Sequence, residues 1–599
     1  MSGFSKAGEL AVLLLVLLLP AAAIAGNPLA NHPSPYLALH GDDPVAWQEW
    51  NAETVARARR ENKLLFVSVG YFACHWCHVM QRESYKNLQI AALLNRDFIP
   101  VKVDRELNSG LDDALQNFSA QLNGVAGWPL NAFVTPEGYP AFVLLYAPPD
   151  DFRKLLTHLA GRWKADQAGI RHLARRAAPP PAMRPTSMPL SAERSARAWQ
   201  QLVDALWKEA DPLHGGFGQV SKFPMAPQLH ALLERQARQP DAKLAEFLRL
   251  TFDQMAARGL RDHVGGGFFR YTVDPGWDTP HFEKMLYDNA HLATLYLRAA
   301  TVLRQPRYRE IARGTLDFMQ DELLDAGGGF YSSTSAVDDR GREGATYLWE
   351  PDELKRRLSP EAYAAASRVW RLDGARSFER GYLPAEYNTP TADERRLLTD
   401  AARVLLPLRR ARSLPKDDKL NAGLNGLALS AFSQAVQLDP AYRTRADDLQ
   451  RFLLTRLVRQ GRLMKAMARG QVLPNAELED YAYVVQGLLD HADATGNRKS
   501  RDHALQFARV AWQSFWSEKG WKHEARPLLA TLQAEPALAD GALYSPSDVL
   551  ILATLRLQDS ALQRLARTAA GWRLPAMERD AYGYPTRVRV LTQAQPGPS

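Results

Sequence analysis

Cysteine is nearly absent: the 599-residue chain holds two, Cys74 and Cys77. A scaffold of many structural disulfides, common in exported proteins, is therefore excluded. Beyond the N-terminus no run is long and apolar enough to read as a membrane-spanning helix. Charge of one sign is not in large excess either. The formal net charge is +8, and the arginines scatter along helical stretches, with small clusters such as Arg409-Arg410-Ala411-Arg412. No nucleic-acid motif accompanies them, so they read as solvated faces and nucleic acid is not an expected partner. No cofactor-binding motif is visible, and neither a cofactor nor a metal is expected. What is present is ordinary globular material, 46% hydrophobic and 23% charged, long enough for several domains at about 150 residues each.

The first 25 residues read as a secretory signal peptide: an apolar run over residues 11–19, then Pro20 and an Ala-x-Ala pattern ending at Ala25. The charge before the run is weak, because Glu9 offsets Lys6. The apolar run is too short to span a bilayer comfortably, so an exported, periplasmic or secreted protein without a lasting membrane anchor is expected.

Residues 26–176 alternate strand and helix patterns. Residues 64–69 form a β-rich run before Gly70 and the cysteines, and residues 79–94 read as one helix. Residues 98–103 and 132–135 are further strands, 141–146 a hairpin partner, and 150–164 a closing helix, which together give an α/β domain with a mixed sheet. A proline-rich spacer covers 177–190. From 191 to 599 the pattern is almost wholly helical, with Gly-Gly-Phe loops at Phe217, Phe268 and Phe330 that recur like repeats. An (α/α)6 toroid is the expected architecture, and an open α-solenoid is its competitor.

Cys74-His75-Trp76-Cys77 follows a strand and opens a helix. Unpaired N–H groups and the dipole at such a helix start stabilise a thiolate. Cys74 is then the attacker and Cys77, one turn on, the resolving thiol. A protonated His75 would lower the Cys74 pKa further, and Trp76 completes the motif. Trp128-Pro129 precedes the 132–135 strand, where a thioredoxin fold sets a cis-proline against its cysteines to hold a partner's backbone. Three rivals stand beside this redox centre. A structural disulfide here would close a very small loop and stabilise little. A zinc site built with His75 and His78 lacks the usual distant second pair. With His78 included, the run is literally the C-x-x-C-H haem attachment signature; the strand–helix context argues against it.

Several runs carry a resemblance: Asn27–Asn31, Ser34–Leu37, Asp43–Trp47, Cys74–Met80 with Glu83-Ser84, Lys102–Glu106, and Gly127–Asn131. Beyond the spacer come Lys222-Phe223-Pro224, Gly265–Phe268, the long Pro280–Asn289 run and Asp417-Asp418-Lys419. Together they resemble the DUF255 family, the thioredoxin-like DsbH domain of spermatogenesis-associated thioredoxin-domain proteins and their bacterial relatives. The resemblance implies a thioredoxin-like domain joined to a barrel like those of six-hairpin glycosidases and N-acylglucosamine 2-epimerases. It fixes no reaction. The chain departs from the family pattern at Ser335–Asp339, Gly423–Gly426 and Tyr544–Asp548, all expected on rim loops.

A sugar-active barrel needs paired acid and base groups. His281, Glu283 and Asp288 in one run, and Asp417 and Asp418 in another, are the candidates, with Asp480 and Asp540 near other rims. In the bland reading Pro280 starts a helix and His281 and Glu283 are merely first-turn residues; Asp417 and Asp418 then lead into the next helix. The leading expectation is an exported thiol–disulfide oxidoreductase acting on protein thiols or disulfides, with the barrel recognising substrate. A carbohydrate-active barrel with an accessory redox domain, and a ligand-binding protein without turnover, are the alternatives. A saccharide is the candidate barrel ligand in both.

Overall fold

The computed structural model describes residues 27–178, 187–375, 378–532 and 539–595. The expected signal peptide and most of the proline-rich spacer lie outside these residues.

The N-terminal sheet contains β1 (Leu65–Gly70), β2 (Ile99–Asp104), β3 (Leu130–Val134) and β4 (Pro140–Leu144), in the order β2-β1-β3-β4. β1 is parallel to β2 and antiparallel to β3, and β3 turns back into β4. Alternation along β1 sends Leu65, Val67 and Val69 to one face, packed with Val55 and Ala58 and with Leu111, Leu115 and Phe118. Phe66 points the other way, with Phe133, Ile90, Leu94, Phe152 and Leu156. Burial on both faces explains why these strands read as continuous apolar runs.

The helix expected over 79–94 is interrupted. α1 (His75–Met80) passes into a single π-turn over Gln81–Tyr85, and a separate helix, Leu88–Asp97, follows. Lys86 ends the first and Asn87 caps the second, its side chain accepting from the N–H groups of Gln89 and Ile90.

Six helices of the second unit contact one another in a cycle: α2 (Ala226–Arg238), α3 (Leu286–Val302), α4 (Ala422–Ala435), α5 (Leu478–Thr495), α6 (Pro546–Leu555) and α7 (Pro585–Gln593). α7 packs on both α6 and α2, so the ring closes and is not an open solenoid. Each is backed by an outer helix, for example Arg307–Phe318 behind α3 and Arg498–Phe515 behind α5. The helix expected across 230–255 is an inner–outer pair instead. Pro240 stops α2, and Asp241 caps Ala242–Ala257 by accepting from the Leu244 N–H.

The Gly-Gly-Phe loops are held by recurring polar clasps. Lys222 binds Asp211 and Lys284 binds Asp262, each at 2.5 Å. Asn289 and Asn425 accept from the backbone N–H of Phe268 and Phe330 at 2.7 Å. Gly266 and Gly267 adopt φ of +71° and +72°, which these tight loops require. Much of the long Pro280–Asn289 run is thus loop architecture.

Candidate functional site: a chamber between the cysteine pair and the helical ring

Cys74 and Cys77 are joined as a disulfide at the start of α1. Cys74 is the N-cap, its Sγ accepting from the Cys77 N–H at 3.2 Å. Val69 pairs with Leu130 across β1 and β3, which brings the cis Trp128–Pro129 bond to the loop leading into the cysteines. Trp128 is fixed by its Nε1–H to Asp112 at 2.9 Å and by the Arg105 guanidinium, 4.1 Å from its ring centre. Trp76 is 43% exposed and packs on Tyr146. His78 is bound through Nε2 to the Phe72 carbonyl oxygen at 2.8 Å, and burial pulls its pKa down to about 4. With both sulfurs bonded to each other and this imidazole engaged, the donors of the C-x-x-C-H run are committed elsewhere.

Cys74, His75, Trp76 and Trp128 line a cavity of about 430 Å³. Its opposite wall belongs to the helical ring and carries His281, Glu283 and Asp288. The two sets of candidates, far apart in sequence, therefore share one chamber. Pro280 does not start a helix: Pro280–His281 pairs with Tyr271–Thr272, Lys284–Met285 is a second short strand, and α3 begins at Leu286. Extended backbone alternates its side chains, and this places His281 and Glu283 on the chamber wall while Lys284 turns away to Asp262.

Glu343, which sequence reasoning missed, bridges the two units. One oxygen lies 2.5 Å from His281 Nδ1 and the other 3.5 Å from His75 Nδ1. The two imidazoles stack with centroids 5.8 Å apart. Burial acts to lower both histidines; for His281 the Glu343 hydrogen bond and charge overcome it and raise the pKa, whereas His75 stays below its ordinary value. In this disulfide form burial thus disfavours the His75 imidazolium. The only local hint of Glu343 is a lone acid between the turn glycines Gly341 and Gly344.

Deeper in the wall, Arg270 hydrogen-bonds the Tyr71 hydroxyl and lies 3.6 Å from Glu283. Burial pushes both Glu283 and Asp288 upward against the pull of Arg270, Asp288 to about 8. Arg270, Tyr71 and the stacked pair Phe223–Tyr271 were also missed, since nothing in their spacing marks them.

Asp417 and Asp418 do not line this chamber. Asp417 sits on the short strand Lys416–Asp417 and is bound by Lys419, which also meets Asp104 at 3.0 Å and Glu106 at 3.2 Å. Asp480 joins Glu477 and Glu479 around the Lys465 ammonium. Those three acids are the one cluster with metal-ligand spacing among the described residues, and the lysine occupies its centre. Asp540 is engaged by Thr586 and the Ser545 N–H.

A cysteine pair opening a helix beneath such a sheet belongs to a defined class of proteins. Residues 26–179 match the Thioredox_DsbH family model, described as a protein of unknown function, DUF255. Spermatogenesis-associated protein 20 of Rattus norvegicus is 32% identical over 568 residues, covering 84% of this chain and 71% of the relative. The Homo sapiens protein of the same name is 32% identical over 559 residues, covering 82% and 70%. The chain belongs to the spermatogenesis-associated protein 20 family. Among solved structures it is similar to a D-mannose isomerase, with TM-score 0.42, 10% identity, and coverage of 64% of this chain and 86% of that one. A GH76 alpha-mannanase from Bacteroides thetaiotaomicron gives TM-score 0.40 and 12% identity, covering 67% and 94%.

Proposed function

We propose that the protein is an exported thiol–disulfide oxidoreductase, built as a thioredoxin-like domain on an (α/α)6 toroid. The observation that carries this reading is the Cys74–Cys77 disulfide at a helix start, where Cys74 lines a chamber together with Trp128. In the dithiol form Cys74 attacks a partner disulfide, and Cys77 resolves the mixed disulfide. Trp128 and Pro129 orient the partner, and His75, its Nδ1 3.5 Å from Glu343, lines the same chamber. The order β2-β1-β3-β4, one parallel pair flanked by an antiparallel hairpin, supports the thioredoxin-like assignment. The closed ring of inner helices supports the toroid. Export rests on the N-terminal apolar run and its Ala-x-Ala pattern, and is tested by whether the mature chain begins at Gly26.

Cys74→Ser is expected to abolish disulfide exchange, measured as reduction of a disulfide substrate by pre-reduced protein. Equal exchange by wild type and variant would refute the reading.

One observation favours a second reading: His281, Glu283 and Asp288 converge in the chamber, as an acid–base site on a sugar would require. Asp417 and Asp418 take no part in it. A carbohydrate-active chamber predicts saccharide turnover that survives Cys74→Ser.

A further inference from the structure

The sulfurs face inwards. Cys74 is 4% exposed and Cys77 2%, and the open space that Cys74 borders is the chamber beneath the ring. At about 430 Å³ the chamber has the size of a small-molecule pocket. Besides His75 Nδ1, three of its lining residues have a buried polar atom without a hydrogen-bond partner: Asp288 at Oδ2, Glu283 at Oε2 and Arg270 at Nε. These residues are 8%, 2% and 4% exposed. An unmet buried polar atom costs free energy, more when charged, and a polar guest beside these residues relieves that cost. Two carboxylates and a guanidinium N–H side by side select a guest that bears both an ammonium and a carboxylate. Phe223, Tyr271 and Trp128 supply apolar walls around it.

We propose that the chamber takes the disulfide of a small zwitterionic, amino-acid-type thiol. Its ammonium meets Glu283 and Asp288, which gives up its proton as the cation arrives, its carboxylate meets the Arg270 guanidinium, and its S–S bond lies against Cys74. This rests on the redox reading above. The Cys74 thiolate attacks one sulfur of the guest, forming a Cys74–guest disulfide and expelling the other half as a thiolate, which takes up a proton. Cys77, losing its own proton, then attacks Cys74 Sγ. The Cys74–Cys77 bond re-forms and the second half leaves as a thiol. Two electrons pass from the protein dithiol to the guest, and two thiols are released.

The test is a single turnover of pre-reduced full-length protein against cystine, cystamine, dithiodiglycolate, hydroxyethyl disulfide and insulin. Cystine is expected to react at least about tenfold faster than the uncharged hydroxyethyl disulfide, with the probes that carry only one sign of charge between them and insulin slowest. Asp288→Asn and Glu283→Gln should each move the cystine-to-hydroxyethyl ratio toward one. That ratio is an internal control against general damage, and the wild-type series decides the matter even if a variant fails to fold. Equal rates for the four small probes, or insulin fastest, overturns the proposal and leaves the redox function standing. Failure of every probe to oxidise the cysteine pair overturns both.

Discussion

A buried carboxyl with an unmet oxygen, such as that of Asp288, couples the chamber to pH. Burial raises its folded pKa to about 8, far above its ordinary value of 3.8. The folded state therefore holds a proton that the unfolded chain has released, and stability falls as pH rises through that window. Asp288→Asn, which has no proton to lose, should gain thermal stability relative to wild type between about pH 4 and pH 8. Melting temperatures across that range check it; a difference that does not change with pH would contradict the assignment. His281 behaves in the usual sense for a raised histidine: its contribution is complete below the ordinary value and is lost as pH rises through the folded one. At this scale the position of the cysteine pair at a helix start, with Trp128-Pro129 before a neighbouring strand, was legible because a CxxC after a β-rich run is a local pattern. Glu343 and Arg270 were not, because a lone acid or arginine carries no spacing signal.

Helix contacts in the ring depend on missing side chains. A Cβ on Gly487 of α5 would lie 2.3 Å from the Gly426 carbonyl oxygen of α4, and one on Gly426 would lie 2.7 Å from the backbone of Tyr483. Backbone cannot retreat as a flexible side chain can, so Gly487→Ala is expected to destabilise by about 1–3 kcal/mol through overpacking. A Cβ on Gly161, in the exposed face of Pro149–Ala165, would meet nothing within 4 Å. There the same change should stabilise by up to about 1 kcal/mol through helix propensity. Urea midpoints of the two variants give the comparison. Element type was readable from periodicity, but boundaries failed where a cap or a proline cut an apolar pattern, as at Asn87 and Pro240. Residues 280–285 read as a helix start because proline fits that position; cross-strand pairing with Tyr271–Thr272 and Ser333–Thr334 decided otherwise.

The two units are joined through buried charge. Lys419 of the ring reaches Asp104 and Glu106 at the end of β2 and in the loop after it, in addition to its own Asp417. Burial raises Asp417, and the neighbouring Glu106 and Asp104 add to the rise against the pull of Lys419. Lys419→Met keeps most of the stem but leaves the three acids without their shared cation, an uncompensated cluster expected to cost about 3–5 kcal/mol. A denaturation midpoint close to wild type would show that the cluster does not clamp the units. Asp417 looked like a catalytic candidate in the sequence because an acidic pair beside a lysine is ambiguous. Asp104 and Glu106, which share its lysine, belong to the other unit, and only folding reveals that Asp417 is part of a fastener.

The sequence by itself determined the α/β unit, the helical unit after it and the cysteine pair at a helix start, because periodicity, proline and CxxC spacing are local signals. Only the tertiary structure decided that the cysteines face the ring, that His281, Glu283 and Asp288 line their chamber, and that Asp417 does not. Those relations arise where strand register and ring closure bring distant segments together, and no local pattern encodes that meeting.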